Sequence, residues 1–333
     1  MHRLLGLSGA AILVAGALSG CGDDVETSTE TGTTTGGGTS AGTETGTTTG
    51  GGTETGTTTG TATGGGTSTA MGGGGGGTPT GAGGGVPGPV AYWTLDTADI
   101  SGTTVVDTIG DADGTNDGAV PDPSGQVGQA LSFDGTNDFI NFGDVLENVI
   151  AGADAQFSVS MWIKPSTVLT GHFLLAKLGD TACVPDDSNR QWSMQVASTP
   201  RFTFFGSLNQ PLVARSGTGT AMPSTVGQWY HLVFVYDGTV DTGGVDRLGV
   251  YVDGVADTLT ETISMGAFPF DLPADGAAPL AFGIRVDSSG NPCSQGGSTF
   301  FAGSLDELAI FDSALGQAEV DAIRARGVAG QSL

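Results

Sequence analysis

The chain has 333 residues and carries 35 acidic side chains against 10 lysines and arginines, which gives a formal net charge of -25 at pH 7. Contacts with phosphate groups need clustered cations, so this balance argues against binding to DNA, RNA or anionic lipid headgroups. The partners it favours are neutral glycans, cationic surfaces or anions bridged by calcium.

The chain begins with a short basic segment and an apolar run that ends at a cysteine. Arg3 is followed by LLGLSGAAILVAGALSG and then by Cys21. A membrane-spanning helix needs about 20 strongly apolar residues, whereas this run is shorter and rich in small residues, which favours a secretory signal over residues 1–20. The tetrapeptide LSGC resembles the bacterial lipobox, and the resemblance implies that Cys21 receives diacylglycerol and becomes the mature N-terminus. Ordinary secretion with a chance cysteine is the alternative.

A lipidated Cys21 predicts a protein anchored in the membrane of a bacterial cell envelope. Two or three acyl chains on one residue give firm anchoring, at about 0.8 kcal/mol per buried methylene. Asp23 resembles an inner-membrane retention signal, but the use of that signal varies between lineages. We expect the outer membrane or the cell surface in preference to the inner membrane.

Residues 21–88 are dominated by threonine and glycine. The segment TETGTTTGGGT occurs at residues 29–39 and again at 43–53, and no large apolar side chain lies between Val25 and Met71. Nothing in this segment can offset the entropy of ordering the backbone, which is about 1 to 2 kcal/mol per residue. We expect a disordered tether with a root-mean-square span of about 45 Å.

Residues 89–330 have the pattern of a β-sandwich. Short alternating runs rich in β-branched and aromatic residues recur between Gly, Asp, Asn and Pro, with one convincing helix at the end. This pattern indicates an all-β fold. The pair Asp253-Gly254 predicts a type I′ hairpin, since both turn residues need positive φ. Both faces of HLVFVYD, residues 231–237, are apolar, which predicts a strand buried within the sandwich.

The order of these motifs resembles that of a known family. The succession VAYWTLD, GQVGQALSFDGTNDFINFGD, FSVSMWIKP, GQWYHLVFVYDG, LGVYVDG and FAGSLDELAIFDSALGQAEVDAI is similar to the laminin G-like jelly roll of the concanavalin A-like lectin and glucanase superfamily. The resemblance covers residues 90–326 and implies a two-sheet antiparallel jelly-roll sandwich with a short C-terminal helix. One departure is Gly316, where the family usually has a serine or threonine cap; glycine is a tolerable N-cap.

Two cysteines remain when Cys21 is lipidated. Cys183 and Cys293 form an even pair in an exported protein, so we expect a disulfide bond between them, with two buried free thiols as the alternative. The bond would join two polar, Gly-rich loops. Long loops on a rigid sandwich are where binding residues usually lie.

Three side chains flank the loops of this predicted disulfide: Arg190, Trp192 and Arg285. An aromatic face with nearby hydrogen-bond donors suits a sugar ring, so these residues are the predicted glycan site. Trp192 also alternates with Met194 and Val196, and the alternative is that it belongs to the core. A further alternative is that the disulfide only joins two loops and creates no site.

Calcium is the metal that the resemblance implies, because laminin G-like jelly rolls often hold it through carboxylates and loop carbonyls. Calcium takes six to eight oxygen ligands at about 2.3 to 2.6 Å. By resemblance, the expected ligands are Asp96 after the first strand, Asp134 in FDG and Asp306 near the last strand. The segment DTIGDADGTNDG resembles part of an EF-hand loop but has no closing glutamate. The alternative is that these side chains only cap turns.

Glycan hydrolases of this superfamily resemble one another in carrying two glutamates and an aspartate on one strand, and hydrolysis needs two carboxyl groups about 5 to 9.5 Å apart. No predicted strand of the domain contains two of its glutamates, Glu147, Glu261, Glu307 and Glu319. Asp306 and Glu307 are adjacent on a predicted strand and should point to opposite faces. His172 and His231 accompany no nucleophile motif. We therefore predict that the domain is not an enzyme.

Two classes of function remain after these exclusions. The first is a surface-tethered binding module, lectin-like or adhesive, that holds a polysaccharide or a glycoprotein at the cell envelope. The second is a structural or protein-interaction protein of the envelope that uses the same sandwich without binding glycans. A glycan hydrolase ranks last.

Overall fold

The computed structural model describes residues 85–183, 189–196, 199–205, 214–221, 223–273, 278–294 and 299–333. The predicted secretory signal, Cys21 and the predicted tether up to residue 84 lie outside these ranges. The described residues belong to one compact unit, Gly76–Leu333. None of the helices in the described ranges is long and apolar enough to span a membrane.

Short strands account for most of the regular structure. In chain order they are β1 (Ala91–Trp93), β2 (Ile100–Ser101), β3 (Thr104–Val105), β4 (Gly114–Asp117), β5 (Val120–Asp122), β6 (Ala130–Asp134), β7 (Phe139–Gly143), β8 (Gln156–Pro165), β9 (His172–Leu178), β10 (Arg190–Val196), β11 (Pro200–Phe205), β12 (Ala214–Thr218), β13 (Tyr230–Asp237), β14 (Leu248–Val252), β15 (Val255–Ala256), β16 (Thr260–Met265), β17 (Leu280–Phe282) and β18 (Ala302–Phe311). The α-helices are α1 (Glu147–Ile150) and α2 (Gln317–Val328).

The strands form two antiparallel sheets. The eight-stranded sheet has the order β15-β14-β13-β8-β18-β6-β5, with β1 paired to β18. The ten-stranded sheet has the order β16-β12-β11-β10-β9-β17-β7-β4-β3-β2. The predicted two-sheet jelly-roll sandwich with one closing helix is therefore confirmed.

The main core lies between the two sheets and is built from large aromatic and aliphatic side chains. Fully buried members include Trp93, Phe157, Trp192 and Phe282. Each such side chain contributes roughly 1.5 to 3 kcal/mol by leaving water. These contacts hold the sheets face to face and leave each sheet with one outer face.

Helix α2 covers the outer face of the eight-stranded sheet. Its Val320 and Ile323 are buried in a second apolar cluster with Val233 and Val235 of β13, while Leu232, Phe234 and Tyr236 of the same strand lie in the main core. Strand β13 is therefore buried on both faces, as its sequence predicts. At the start of α2, the N–H of Gly316 donates to Oε2 of Glu319 at 2.6 Å, so the helix begins at Gln317 without a side-chain cap from residue 316.

The predicted hairpin at Asp253 and Gly254 is present. It joins β14 to β15, and the two residues have φ of 52° and 80°. Both values lie in the left-handed region that a type I′ turn requires. The dipeptide alone was sufficient to place this turn.

Candidate ligand-binding face

The outer face of the ten-stranded sheet carries a group of polar side chains on neighbouring strands. On β10, Trp192 and Met194 lie in the core, so the alternating Ser193 and Gln195 lie on the opposite face. We call this group the outer polar face; its members are Ser193, Gln195, Arg201, Thr203, Ser216 and Thr218.

Strands β11 and β12 continue the outer polar face. Phe202 and Phe204 of β11 belong to the core, which places Arg201 and Thr203 outward. Thr203 Oγ1 donates to Ser216 Oγ of β12 at 2.9 Å, so these hydroxyls lie side by side. Alternation around the core residues thus brings polar side chains from three strands onto one side of the sheet, where Ser193, Thr203 and Ser216 are buried and the other three members are partly exposed.

Strand register aligns these residues in a row across the sheet. Gln195 is paired with Phe173 of β9 and with Arg201 of β11, and Arg201 is paired with Thr218 of β12. Thr218 is in turn paired with Thr260 of the edge strand β16. With neighbouring strands about 4.8 Å apart, the row is about 19 Å long. It is long enough for several sugar units of a polysaccharide.

Hydrogen bonds within the outer polar face leave part of its capacity unused. Gln195 Nε2 donates to Ser193 Oγ at 3.1 Å, and the hydroxyls of Thr218 and Thr262 are 3.0 Å apart. Arg201 is half-buried, and its Nε has no hydrogen-bond partner in the described part of the chain. The partly exposed side chains of this face, Gln195, Arg201 and Thr218, are the ones that hydroxyl groups of a ligand can reach.

Trp192 does not belong to this face, and its prediction as a ligand-binding residue is wrong. Its side chain is fully buried, and its ring packs 5.3 Å from that of Phe157 between the centroids. A sugar cannot stack on a ring that lies inside the sandwich. The alternation with Met194 and Val196 placed Trp192 in the core, as the alternative interpretation held.

Arg190 and Arg285 are also used within the protein. Both bind the fully buried carboxylate of Asp180: Arg190 Nε and Nη2 donate at 2.6 and 2.8 Å, and Arg285 Nη1 donates at 2.7 Å. The arginines are mostly buried as well. The predicted disulfide bond between Cys183 and Cys293 is present beside them, with the Cα atoms 5.3 Å apart. These residues form a structural clamp between two loops.

The structure brings together two of the three predicted calcium ligands. Asp96 Oδ1 accepts a hydrogen bond from Gln129 N at 2.5 Å, and Asp306 Oδ2 accepts one from Val127 N at 2.9 Å, so both carboxylates contact the same short segment. Asp134 is elsewhere. Its Oδ1 accepts from Thr136 N at 2.7 Å in a turn, as the alternative interpretation held.

The separation of Asp134 from Asp306 follows from the sheet register. Asp134 is paired with Ala302, and Asp306 lies four residues further along β18, which is about 13 Å. Among the described residues, no group of three His, Cys, Asp or Glu side chains is arranged to hold a metal ion. The predicted set of three carboxylates is therefore not assembled.

Asp306 and Glu307 do not alternate between faces as their sequence predicts. Glu307 has φ of 51°, and the register of β18 against β8 shifts at this point, so the strand carries a bulge. Both carboxyl groups are buried on the outer face of the eight-stranded sheet. Burial, and secondarily the neighbouring Glu307, raises the pKa of Asp306 to about 8, and burial raises that of Glu307 to about 7.

Tyr92 and the C-terminus enclose Glu307. The Tyr92 hydroxyl donates to Glu307 Oε2 and accepts from Leu333 N at 3.2 Å. Burial raises the pKa of Tyr92, so the phenol keeps its proton for this hydrogen bond. The arrangement holds the end of the chain against the eight-stranded sheet.

The two histidines of the domain are packed side chains. His231 Nε2 is 2.9 Å from Ser160 Oγ, and the imidazole ring lies 4.9 Å from the ring of Trp162 between the centroids. Burial lowers the pKa of His231 to about 3, so the ring is neutral at physiological pH. His172 is buried, and its Nδ1 accepts from Thr170 N at 2.9 Å. Ser160, whose hydroxyl lies beside His231, is buried as well.

The two sheets and the closing helix define a jelly-roll domain. The profile of the concanavalin A-like lectin/glucanases superfamily matches residues 134–321, which is more than half of the chain. The protein belongs to this superfamily, in its laminin G-like group, and the predicted family is confirmed. None of the curated proteins matches the sequence.

Solved structures resemble this chain in fold. A Trypanosoma rangeli sialidase in complex with 2,3-difluorosialic acid is 16% identical, with a TM-score of 0.49 over 74% of this chain and 34% of the sialidase. The binding domain of botulinum neurotoxin serotype G is 11% identical, with a TM-score of 0.48 over 72% of this chain and 51% of that one. The binding domain of Paraclostridial Mosquitocidal Protein 1 is 13% identical, with a TM-score of 0.49 over 71% and 51%. This chain thus spans about a third of the sialidase and half of the toxin domains, and the likeness is one of fold.

The prediction that the domain is not an enzyme is corrected by the family match. The superfamily includes glucanases by its own description. Asp306 and Glu307 share a face, so the prediction that they point to opposite faces is also wrong. Membership in the family does not exclude hydrolysis.

Sequence reasoning did not select Ser193, Gln195, Arg201 or Thr203 as site residues. The signal that could have found them is the strand alternation that assigned Trp192 to the core. Once Trp192 points inward, its neighbours in the sequence must point outward. Polarity on those alternate positions then marks the surface.

Proposed function

We propose that this protein is a carbohydrate-binding protein of the bacterial cell envelope, and that the outer polar face binds a polysaccharide or the glycan of a glycoprotein. The row of Phe173, Gln195, Arg201 and Thr218 across four strands is the observation that supports it most directly. It offers an aromatic ring, an amide, a guanidinium and a hydroxyl on a surface held rigid by the core. Convergent polar groups beside apolar surface are what sugar recognition requires.

The proposal includes attachment to the membrane through lipidated Cys21 and extension through the threonine- and glycine-rich segment. The lipobox resemblance and the composition of residues 21–88 support this part. Mass spectrometry of the N-terminal peptide from the expressed protein tests it. We expect diacylglycerol on Cys21, and we expect Cys21→Ser to move the protein from the membrane fraction to the soluble fraction. An unmodified Cys21 would contradict attachment to the membrane through a lipid, and glycan binding would then be proposed for a protein without this anchor.

Affinity electrophoresis of the full chain through gels that contain polysaccharides tests the glycan proposal. We expect retardation by at least one polysaccharide and, because a lost hydrogen bond is about 1 kcal/mol, a Kd about fivefold higher in Gln195→Ala. Gln228→Ala is the matched control, since Gln228 is exposed on the loop before β13 of the other sheet. Reducing-sugar release is measured with the same panel.

The result that contradicts the glycan proposal is uniform mobility in every gel with the fold retained. That outcome favours an envelope protein that contacts another protein through the same sandwich. Equal weakening in Gln195→Ala and Gln228→Ala would contradict the placement of the site on the outer polar face.

We also propose that calcium binds where Asp96 and Asp306 meet the segment of residues 127–129. The fit rests on Asp306, whose Oδ1 is buried and has no hydrogen-bond partner among the described residues. The nearby charge of Asp96 contributes to the raised pKa of Asp306, and a cation would offset this repulsion. Bound calcium would supply structural charge neutralisation. Asp134 does not fit this site.

Thermal unfolding with calcium and with a chelator tests the metal proposal. Calcium at a hundred times its Kd adds about 2.7 kcal/mol to the free energy of unfolding, so we expect the midpoint to rise by several degrees. Asp306→Asn should abolish the rise, whereas the control Asp134→Asn should keep it. An unchanged midpoint in the native protein would rule out the site.

A further inference from the structure

Arg201 differs from the other basic side chains that the structure describes. Those others each have an ion-pair or carbonyl partner: Lys164, Lys177, Arg190, Arg247, Arg285, Arg324 and Arg326. Within the described ranges the side chain of Arg201 has neither a hydrogen bond nor an ion pair, and its Nε is shielded from solvent. In a chain with 35 acidic residues against 10 basic ones, a basic side chain without an acidic partner is unexpected.

The position of Arg201 shows from which side an anion can approach its guanidinium group. The residue is half-buried in the middle of the row, paired with Gln195 on one side and Thr218 on the other. These two neighbours are uncharged. An anion that reaches Arg201 must therefore come from outside the sheet, along the outer polar face.

The chemistry of the guanidinium limits the kind of anion. Its planar fork of N–H donors matches a carboxylate, which it binds through two parallel hydrogen bonds, and a shielded Nε without an acceptor is unfavourable until such a group arrives. The net charge of -25 opposes a ligand with densely spaced negative charges. A sugar polymer with isolated carboxylates satisfies both conditions.

We infer that the glycan bound by the outer polar face is acidic, and that Arg201 binds the carboxylate of a uronic acid or a related acidic sugar. The inference rests on the proposed function and adds the class of ligand to it. Gln195 and Thr218 lie where they can bind hydroxyl groups of the same sugar or its neighbours. Arg201 is then the residue that sets specificity, because it discriminates the acid from its neutral counterpart.

Matched ligands make this inference testable on the native full chain. Glucuronoxylan and hyaluronan are each used as such and after chemical reduction of their carboxyl groups, which leaves the backbone intact and neutral. Dextran sulfate and dextran form a further pair for sulfate. We expect at least one native acidic polymer to bind about 10- to 100-fold more tightly than its reduced form, the range for losing charge-assisted hydrogen bonds.

Variants of the same residue then assign the effect. Arg201→Gln should remove the preference for the acidic polymer, and Arg201→Lys should restore part of it, while Arg326→Gln on α2 is the control for lost charge. Equal binding of acidic and reduced polymers, or a preference that survives in a folded Arg201→Gln, would overturn the inference and leave the proposed function standing. A preference for dextran sulfate alone would also overturn it. An absence of binding to every polymer, neutral or acidic, would overturn both the inference and the proposed function.

Discussion

Leu305 and Leu308 of β18 both pack into the core, although only two residues separate them. This spacing places Asp306 and Glu307 together on the outer face, where regular alternation would have separated them. Two adjacent buried carboxyl groups cannot both ionise without cost. The bulge therefore creates a pair of acids whose pKa values are raised into the neutral range.

This pair predicts a pH dependence of stability. The pKa values of Asp306 and Glu307 are about 8 and about 7 in the folded chain, against about 4 in the unfolded chain, so the folded chain binds more protons between these values. The free energy of unfolding therefore falls as the pH rises from about 4 to about 8. His231, with its pKa lowered to about 3, acts in the opposite direction only below about pH 6.5. Chemical denaturation at pH 6.5 and 8.5 should show a lower stability at pH 8.5. In Asp306→Asn the difference should shrink; a difference of the same size would contradict the assignment.

Asp180 is predicted to be the residue on which the two clamp loops depend most. Its carboxylate is buried between Arg190 and Arg285, and Asp180→Asn would remove the negative charge that both guanidinium groups share. Removing one partner of a buried ion pair costs about 3 to 5 kcal/mol. Urea unfolding measures this cost. The control Asp111→Asn changes an exposed carboxylate and should change stability by less than about 0.5 kcal/mol.

The Cys183–Cys293 bond is predicted to contribute strongly to stability. It closes a loop of 110 residues, and in the chain-entropy account a loop of this size is stabilised by about 4 to 5 kcal/mol. The double variant Cys183→Ser, Cys293→Ser should lose most of this in urea unfolding. Adding a reductant to the variant should change nothing further, and equal stability of oxidised protein and variant would contradict the prediction.

Gly327 is predicted to be required for the close packing of α2 against the eight-stranded sheet. A Cβ atom at this position would lie 2.6 Å from Trp162 Nε1, so Gly327→Ala must push the helix away from the sheet. Alanine would otherwise stabilise a helix by about 1 kcal/mol over glycine, whereas overpacking costs about 1 to 3 kcal/mol. We expect a net loss in thermal unfolding. The neighbouring Val328 is exposed, and Val328→Ala should change stability by less than about 0.5 kcal/mol.

The sequence was sufficient for the fold because local patterns there agree with the global structure. The alternation in β13 and the Asp253-Gly254 turn each have a single physical interpretation, and both are present. The site was harder to predict. Trp192 and Arg190 have side chains that suit both a sugar and a core or ion pair, and only the partners in space, Phe157 and Asp180, decide between these uses.

The bulge at Glu307 shows a second limit of prediction from sequence. Alternation is a rule about regular strands, and a single residue with positive φ reverses it for every side chain that follows. No residue type in the sequence SLDELAIF indicates that the backbone of Glu307 has a positive φ. The face on which Asp306 and Glu307 lie is set by the packing of Leu308 and by the hydrogen bond of Tyr92 to Glu307, which join residues far apart in the chain.

The placement of β1 has a mechanical consequence. The chain enters the sandwich through this three-residue strand, whose partner is β18 in the eight-stranded sheet, while the outer polar face belongs to the opposite sheet. Tension between the preceding segment and a ligand on that face would cross the core and load β1 first. The pairing of β1 with β18 would then set the force at which the domain starts to open. The buried indole of Trp93 would resist this opening, because it must leave the core for β1 to separate.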